Sequence, residues 1–197
     1  MKNRNKRLFD LFFSMLIIVL IFPLLFLIGL MVLIIDGKPI FFLHERIGLN
    51  FKKIHIYKFR TMKNSVHKDA FDAGSTDRVT NLGHFLRKYK LDELPQFLNV
   101  VKGDLSIVGP RPETKFWIDE TYSSWNRILK IRPGITDNAS IIFSNEESIL
   151  AKSSDPAQYY RDVILPKKIK IYNDYVNDNS FWGDILIILK TLQKVFL

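Results

Sequence analysis

The sequence predicts a helix-rich fold of the α/β or α+β class, with one small cytoplasmic domain on an N-terminal membrane anchor. Three observations predict it. Residues 8–35 form one apolar block, residues 54–59 alternate as a strand does, and later stretches repeat apolar residues at spacings of three and four. We place the anchor at residues 1–38 and the domain at residues 39–197, which is long enough for one compact core.

The apolar block is the first element of the chain. Asp10 is the only charged residue between Leu8 and Ile35, and about 20 apolar residues suffice to cross the hydrocarbon core of a bilayer. A cleaved signal peptide would have an apolar region of about 7–15 residues followed by a small-residue cleavage site, and neither feature fits this block. The block is therefore predicted to lie in the membrane.

Pro23 interrupts the apolar block near its middle. Proline lacks an N–H and clashes with the carbonyl four residues earlier, here that of Val19, so it kinks or breaks a helix. A broken helix can enter and leave the membrane through one face, although proline also occurs in spanning helices. The flanks favour this re-entrant path over a kinked full crossing, because basic residues prefer the cytoplasmic side and occur on both sides of the block. They are Lys2, Arg4, Lys6, Arg7, Lys38, Arg46, Lys52, Lys53, Lys58, Arg60 and Lys63.

A small strand or hairpin follows the anchor, because residues 54–59 place apolar and polar side chains alternately. The polar stretch 63–77 is predicted to be a loop. Residues 77–103 have a helical pattern that is interrupted once, and Gly103 is predicted to end it.

A pair of neighbouring acids lies at the interruption of this helical pattern. Pro95 fits the first turn of a helix, so Asp92 and Glu93 are predicted at or near the start of that helix, where its dipole favours ionised carboxylates. Neighbouring residues inside a regular helix point in different directions, but at a helix start both can converge on one site. Such a pair can bind Mg²⁺, and one member can attack phosphorus; the alternative is a pair of exposed capping acids.

The rest of the chain is predicted to be mainly helical. Residues 115–130 and 156–178 have helical patterning and are separated by the turn "RPGITDN". The C-terminal stretch 181–197 is amphipathic, so it either lies flat at the membrane interface or packs inside the domain. Its apolar side consists of Trp182, Ile185, Ile188, Leu189 and Leu192.

The amino-acid composition limits the classes of ligand and partner that the protein can bind. Lysine and arginine outnumber aspartate and glutamate by nine, which favours phosphate groups, an anionic membrane surface or nucleic acid. The absence of cysteine excludes disulfides, thiolate catalysis and zinc sites with sulfur ligands, and the four histidines show no metal-ligand spacing. The sequence has no P-loop and no dinucleotide-binding glycine motif. Nucleic acid is disfavoured by the membrane segment and by the lack of a recognisable binding module.

Several cations lie in short segments punctuated by glycine or proline, where rigid turns can hold them toward phosphate oxygens. Together with the acid pair they suggest a diphosphate site. These cations are Lys58, Arg60, Arg78, Arg87, Arg111 and Arg132.

The motifs, taken in order, resemble the bacterial sugar transferases that are monotopic phosphoglycosyl transferases. The resemblance covers nearly the whole chain and rests on "KRLFDL" before the proline-interrupted block, "YKFRTM", "LRKYKLDELPQFLNVVKGDLSIVGPRP" and "RPGIT". It implies transfer of a sugar-1-phosphate from a UDP-sugar to polyprenyl (undecaprenyl) phosphate at the cytoplasmic face of the bacterial plasma membrane. It also implies that the anchor is re-entrant and that Mg²⁺ is required.

The resemblance assigns residue roles. Asp92 is implied to be the nucleophile that attacks the sugar-bearing phosphorus and releases UMP, with Glu93 as its partner and the pair as the Mg²⁺ anchor. Phosphate binding or its scaffold is implied for Lys58, Arg60, Arg87 and Arg111, and Arg132 is implied to border the nucleotide-sugar site. A homodimer is allowed for, and the sugar remains open. The alternative from another class is a non-catalytic membrane scaffold that binds anionic lipid or a glycan-assembly partner.

Two positions depart from the family pattern. Lys90 stands before "LDELPQ" where many members have Ser or Thr, which puts hydroxyl capping of the catalytic helix in doubt. Asp137 follows Thr136 where many members have Gly, and we expect it beside the sugar pocket.

Overall fold

A computed structural model describes residues 3–63, 78–118 and 123–196 of the chain. The helices are α1 (Asn3–Met31), α2 (Asn81–Lys88), α3 (Gln96–Lys102), α4 (Ser123–Ile128), α5 (Asn138–Ile142), α6 (Glu146–Ala151), α7 (Pro156–Tyr159), α8 (Leu165–Asp178) and α9 (Phe181–Phe196). The strands are β1 (Phe41–Ile47), β2 (Lys53–Phe59), β3 (Ser106–Val108) and β4 (Gly134–Thr136). The strands β1 and β2 form an antiparallel hairpin, whereas β3 and β4 pair in parallel. The predicted helix-rich α/β class is confirmed.

The anchor segment is one continuous helix. Pro23 lies inside α1, which leads into a π-helical turn at Val32–Asp36, so proline does not divide the segment into two helices as predicted. A single proline removes one hydrogen bond from a helix of about eight turns, and the remaining bonds sustain the helix. Arg4–Asp36 is long and apolar enough to cross a membrane, and only 11% of its most apolar stretch is buried inside the protein.

The N-terminal end of α1 is fastened to the domain by polar contacts. Arg7 donates hydrogen bonds to the carbonyls of Val100 and Val101, at 2.7 and 3.1 Å, which satisfies acceptors in the last turn of α3. The buried Asp10 accepts a 2.7 Å hydrogen bond from the Ser106 hydroxyl at the start of β3. The only charge in the apolar block therefore serves as an attachment point.

The C-terminal end of α1 is fastened to the same domain. Arg60, directly after β2, donates to the carbonyls of Lys38 at 2.5 Å and Gly37 at 2.7 Å, and also to that of Asp36. The Thr80 hydroxyl donates a 2.9 Å hydrogen bond to the Asp36 carboxylate. An apolar cluster covers the same junction; its buried members are Ile28, Val32, Phe59, Leu82 and Leu86.

The predicted hairpin after the anchor is confirmed, and it rests on α3. Asn99 is fully buried; its Oδ1 accepts the Tyr57 N–H at 2.9 Å and its Nδ2 donates to the His55 carbonyl at 2.7 Å. One amide side chain thus satisfies two backbone groups of β2 and fixes that strand against the helix.

The interrupted helix at 77–103 is also confirmed. The helix α2 begins after Thr80, whose hydroxyl accepts the Gly83 N–H at 2.9 Å. The 3₁₀ turn Leu91–Glu93 separates α2 from α3, and Gly103 ends α3 with φ +97°, a left-handed conformation that suits glycine.

The later helices agree with the sequence in part. Residues 156–178 are helical from α7 through a π-helical stretch, Tyr160–Ile164, into α8, as predicted. Of the helix predicted at 115–130, residues 115–117 form a turn and Ser123–Ile128 form α4, whereas residues 119–122 lie outside the described residues. Nearly all of the loop predicted at 63–77 lies outside the described residues.

Helix α9 packs against the domain with one face, and its position at the membrane interface stays a prediction. Ile187 and Asp184 are buried against the domain, whereas Trp182 is 78% exposed and Leu189 is 57% exposed. The helix therefore packs with one face and presents a second apolar face outward.

Candidate functional site

The acid pair lies in the 3₁₀ turn between α2 and α3. Lys90 enters this turn with φ 56° and ψ 21°, a left-handed conformation that is uncommon for residues other than glycine. Its side chain caps nothing, so hydroxyl capping is indeed absent at this position. Asp92 is 6% exposed and therefore buried, which excludes the reading of the pair as exposed capping acids.

Glu93 is held by two cations from distant segments of the chain. Lys58 of β2 donates to Oε1 at 2.7 Å, and Arg111, which follows β3, donates to the same oxygen at 2.6 Å and to Oε2 at 3.4 Å. Two of the cations that were predicted to bind a diphosphate therefore surround a carboxylate.

Burial and charge separate the acidities of the two carboxyl groups. Burial, followed by the neighbouring charge of Glu93, raises the pKa of Asp92 to about 6, against the opposing effect of Lys58 and Arg87. Burial also disfavours ionised Glu93, but the charges and hydrogen bonds of Arg111 and Lys58 outweigh it and hold the Glu93 pKa well below its usual range. Glu93 is therefore stabilised as an anion, whereas ionisation of Asp92 costs free energy because its carboxylate is buried.

One oxygen of Asp92 has no donor. Its Oδ1 is buried and accepts no hydrogen bond from any residue that the structure describes. Buried carboxylate oxygens normally have partners, so an orphan acceptor of this kind indicates a group that binds a cation or reacts.

Arg111 lies beside the point where the segment after β3 packs closely on β4, with a glycine on each side. Gly109 donates to the Thr136 carbonyl at 3.1 Å, and Gly134 donates to the Pro110 carbonyl at 3.0 Å. A Cβ at Gly134 would overlap the backbone nitrogen of Gly109. The "RPGIT" stretch therefore acts as a support for the arginine that binds Glu93.

Gly134→Ala should consequently lower the free energy of unfolding by about 1–3 kcal/mol, because the added methyl group separates β3 from β4. Thermal unfolding of the purified protein measures this loss. The matched control is Gly183→Ala on α9, where the nearest atom to an added Cβ is the flexible Ser180 Oγ at 3.0 Å. Equal effects of the two substitutions would contradict the close packing assigned to Gly134.

A cleft adjoins the Glu93 cluster. It is lined by His44, Arg46, Ile56, Lys58, Gln96, Arg111 and Pro112. Burial lowers the pKa of His44 to about 3, with further contributions from the positive charges of Arg46, Lys58 and Arg111, so its imidazole is neutral.

Sequence reasoning missed three residues of this cleft: His44, Arg46 and Gln96. The hairpin register was the missing information, because His44 pairs with Ile56 and Arg46 pairs with Ile54, which places both on the face of Lys58. Gln96 follows the acid pair by one helical turn, a spacing that could have marked it.

A buried polar network lies behind the cleft. Glu113 Oε2 lies 3.5 Å from Arg46, and its Oε1 accepts a 2.7 Å hydrogen bond from the Tyr160 hydroxyl. Lys168 donates to the Tyr160 oxygen at 3.3 Å and forms a 2.5 Å ion pair with Glu146. The network joins the cleft to α6 and α8.

The other predicted phosphate ligands have different positions. The positive charge of Arg87 opposes the rise of the Asp92 pKa. Its guanidinium donates to the Thr61 hydroxyl at 3.0 Å and to Glu147 at 3.4 Å. Arg60 is buried, and its guanidinium serves the end of α1. Arg132 donates to the Gly103 carbonyl at 3.0 Å, at the end of α3 opposite the acid pair. Arg60 thus belongs to the scaffold, and in the described part of the chain no hydrogen bond or ion pair joins Arg132 to the acid pair.

Asp137 has a structural task that its sequence position did not reveal. It is the N-cap of α5, accepting hydrogen bonds from Ala139 N at 2.6 Å and from Ser140 N at 3.1 Å. Burial raises its pKa, although the hydrogen bonds from Ser140 oppose that shift. Its carboxylate caps the N-terminus of α5.

The acid pair fits a magnesium ion through Asp92. Within residues 3–63, 78–118 and 123–196 no three His, Cys, Asp or Glu side chains form a metal-binding group. Mg²⁺, however, is usually held by one or two carboxylates together with substrate phosphates. Asp92 Oδ1 is the uncommitted ligand, whereas both oxygens of Glu93 already face cations.

Comparison with known proteins shows which family the sequence matches. A model of the family "Bacterial sugar transferase" matches residues 1–197. A UDP-N-acetylgalactosamine-undecaprenyl-phosphate N-acetylgalactosaminephosphotransferase of Aeromonas hydrophila is 34% identical over 96% of the chain and 43% of its own length. A UDP-glucose:undecaprenyl-phosphate glucose-1-phosphate transferase of Escherichia coli (strain K12) is 35% identical over 98% of the chain and 40% of its own length.

The chain thus spans about two fifths of these two relatives. The exopolysaccharide production protein ExoY of Rhizobium meliloti (strain 1021) has a more similar length: it is 32% identical over 98% of the chain and 85% of its own length. The predicted resemblance is confirmed, and the chain belongs to the bacterial sugar transferase family.

Proposed function

We propose that the protein transfers a sugar-1-phosphate from a UDP-sugar to polyprenyl phosphate, through a covalent phosphosugar on Asp92. The single observation that carries the proposal is the buried Asp92 carboxylate, with its orphan Oδ1, beside the cluster of Glu93, Lys58 and Arg111. A non-catalytic scaffold would gain nothing from a buried acid whose ionisation is costly. The names of the Aeromonas and Escherichia relatives support undecaprenyl phosphate as the acceptor class.

In the first step an Asp92 oxygen bonds to the sugar-bearing phosphorus. The bond between that phosphorus and the oxygen bridging to the second phosphate breaks, and the electron pair leaves with UMP. In the second step an oxygen of polyprenyl phosphate bonds to the same phosphorus, and the bond to Asp92 breaks. The carboxylate is restored, and no proton is gained or lost in either step.

The cations around Glu93 supply the electrostatic part of this chemistry. Arg111 and Lys58 are already oriented by Glu93, so they need little rearrangement when phosphoryl charge shifts during the reaction. Burial, together with the charge of Glu93, raises the pKa of Asp92, and a more basic carboxylate is a better nucleophile toward phosphorus. Bound Mg²⁺ would supply further charge neutralisation on phosphate oxygens, held by Asp92 and by the substrate.

UMP release tests the proposed reaction directly. Membranes that contain the protein should release UMP from one or a few members of a panel of UDP-sugars, and chelation of Mg²⁺ should stop the release. Membranes from cells lacking the protein are the control. Unaltered UMP release in excess chelator would count against a metal-dependent site, and no release from any donor would sink the reaction.

The membrane segment is proposed to be re-entrant, with both ends at the cytoplasmic face. The support is structural: Arg7 and Asp10 fasten one end of α1 to the domain, while Arg60 fastens the other end. A helix that crossed the membrane would carry one of those attachment points to the far side. On this path α1 stays continuous but bends at Pro23, and its exposed apolar middle lies within one leaflet.

Cysteine labelling distinguishes a re-entrant path from a full crossing. Because the sequence has no native cysteine, only the introduced thiols react. Asn5→Cys and Lys38→Cys place one thiol before and one after the apolar stretch, both at exposed positions. A membrane-impermeant maleimide should leave both unlabelled in intact cells and label both in inverted membranes. Labelling of only one site in intact cells would contradict the re-entrant path.

A further inference from the structure

A cavity of about 270 Å³ lies between α5 and α9, and it shares no lining residue with the acid-pair site. It is lined by Ile141, Lys190, Gln193 and Lys194. A single water needs only about 10–15 Å³ of such volume, so the cavity has room for a group of several heavy atoms. Two of its described lining residues are cations and none is an acid, so an anion matches it in charge.

The two lysines of this cavity have fixed backbone positions and uncompensated charges. Lys190 and Lys194 are one turn apart on α9, so both ammonium groups can reach the same ligand. Between them, the Thr191 hydroxyl lies 2.6 Å from the Thr136 hydroxyl of β4, which attaches this part of the helix to the domain. Neither lysine forms an ion pair with any residue that the structure describes. Their charge is therefore available to an external anion.

An exposed apolar face lies beside the two lysines. Helical spacing places Trp182, Leu186 and Leu189 along one side of α9, and all three side chains are exposed. Lys190 and Lys194 lie on the flank of that side. A ligand in the cavity thus meets cations and, directly next to them, apolar surface. A phospholipid combines an anionic head with apolar chains and can use both, whereas a small soluble anion uses only the cations.

Helix α9 begins beside the first end of α1. The rings of Phe9 and Phe181 lie 5.3 Å apart in edge-to-face geometry, and Lys6 pairs with the buried Asp184. With α1 in the membrane as proposed above, these contacts hold the start of α9 at the depth where the apolar stretch of α1 enters the lipid. Phospholipid headgroups lie at that depth, within reach of an amphipathic helix.

We propose that the cavity between α5 and α9 binds the headgroup phosphate of an anionic phospholipid. Lys190 and Lys194 supply the positive charge, and the acyl chains lie along the exposed apolar face of α9. An anionic headgroup brings no cation of its own, whereas a zwitterionic headgroup adds one that the two lysines repel. The site goes beyond sugar transfer, and it rests on the proposed membrane position of α1.

Equilibrium binding to the purified full-length protein in a neutral detergent tests the site. The probes are short-chain phosphatidylglycerol, phosphatidylcholine with the same acyl chains, and inorganic phosphate as a free anion. The unaltered protein should bind phosphatidylglycerol more tightly than either of the other two. Lys190→Gln combined with Lys194→Gln should raise the Kd for phosphatidylglycerol at least about tenfold, because the headgroup loses both cations.

Two further variants separate the cavity from net charge. Lys167→Gln combined with Lys170→Gln removes the same charge from exposed positions on α8 and should leave the Kd unchanged. Gln193→Trp keeps both lysines but fills the cavity, so it should also weaken binding of phosphatidylglycerol.

Three outcomes overturn the proposal: an equal loss of affinity in the α8 variant, unchanged affinity in either α9 variant, or inorganic phosphate that binds as tightly as phosphatidylglycerol. The first would reduce the effect to net charge, the second would remove the cavity from binding, and the third would make the ligand a free anion. Binding in detergent needs neither turnover nor a bilayer, so failure of the transfer reaction or of the re-entrant path in its own assay remains a separate result.

Discussion

Asp92→Asn should lower UMP release from the UDP-sugar by at least about 10³-fold while the protein becomes more stable. The amide is nearly the same size but cannot form the acyl phosphate, so the chemical step is lost rather than substrate binding. Stability should rise because ionised Asp92 is buried. Its pKa is raised from 3.8 to about 6, a shift that corresponds to a penalty of about 3 kcal/mol.

The sign of this stability change depends on pH. The folded protein binds the Asp92 proton more tightly than the unfolded chain does, so the penalty is absent below about pH 4 and complete above about pH 6. Asp92→Asn should thus stabilise at neutral pH and have little effect near pH 4. Denaturant titrations without Mg²⁺ measure both values, and Asp178→Asn, at an exposed position on α8, is the control. Undiminished UMP release would remove Asp92 from the nucleophile's role.

Glu93→Gln should change stability in the opposite direction. It leaves Lys58 and Arg111 without their anionic partner, and we expect a loss of about 2–3 kcal/mol. This is less than for a fully buried pair, because the Lys58 and Arg111 side chains are 20% and 30% exposed. Activity should also fall, by about 10²-fold, because the two cations lose their orientation.

A surface ion pair provides the matched control for Glu93. Glu45→Gln removes the 2.9 Å contact with Lys53, in which the side chains are 48% and 60% exposed. We expect no measurable change in stability and full activity, because both side chains are solvent-exposed. If Glu93→Gln proved as mild as Glu45→Gln in denaturant titrations, the cluster would not have the stabilising role assigned to it.

Local patterns predicted much of the fold. The alternation at residues 54–59, the helix stop at Gly103 and the interruption before Pro95 all have local causes, and the structure contains each of them. The parallel pair of β3 and β4 escaped prediction, because three-residue strands are too short to show a period of two. Their contact depends on glycines brought together from distant parts of the chain.

The site was harder to predict, because identical residue types serve different partners. Arg111 binds a carboxylate and Arg60 binds backbone carbonyls, and nothing local in the sequence distinguishes these two arginines. Orphan atoms are also invisible in a sequence. The unpaired oxygen of Asp92 and the unpaired amide of Gln96 appear only when every neighbouring group has a position.

The contacts that attach the two ends of α1 to the domain also lie close to the acid-pair site. Asp10 accepts a hydrogen bond from Ser106 in β3, the strand that leads to Arg111. Arg60, which lies two residues beyond Lys58, donates to carbonyls that follow α1. Lys58 lies on a strand, and Arg111 follows a strand, that contacts one end of α1. A shift of either end of α1 in the bilayer would therefore also shift a segment that leads to one of the cations bound to Glu93.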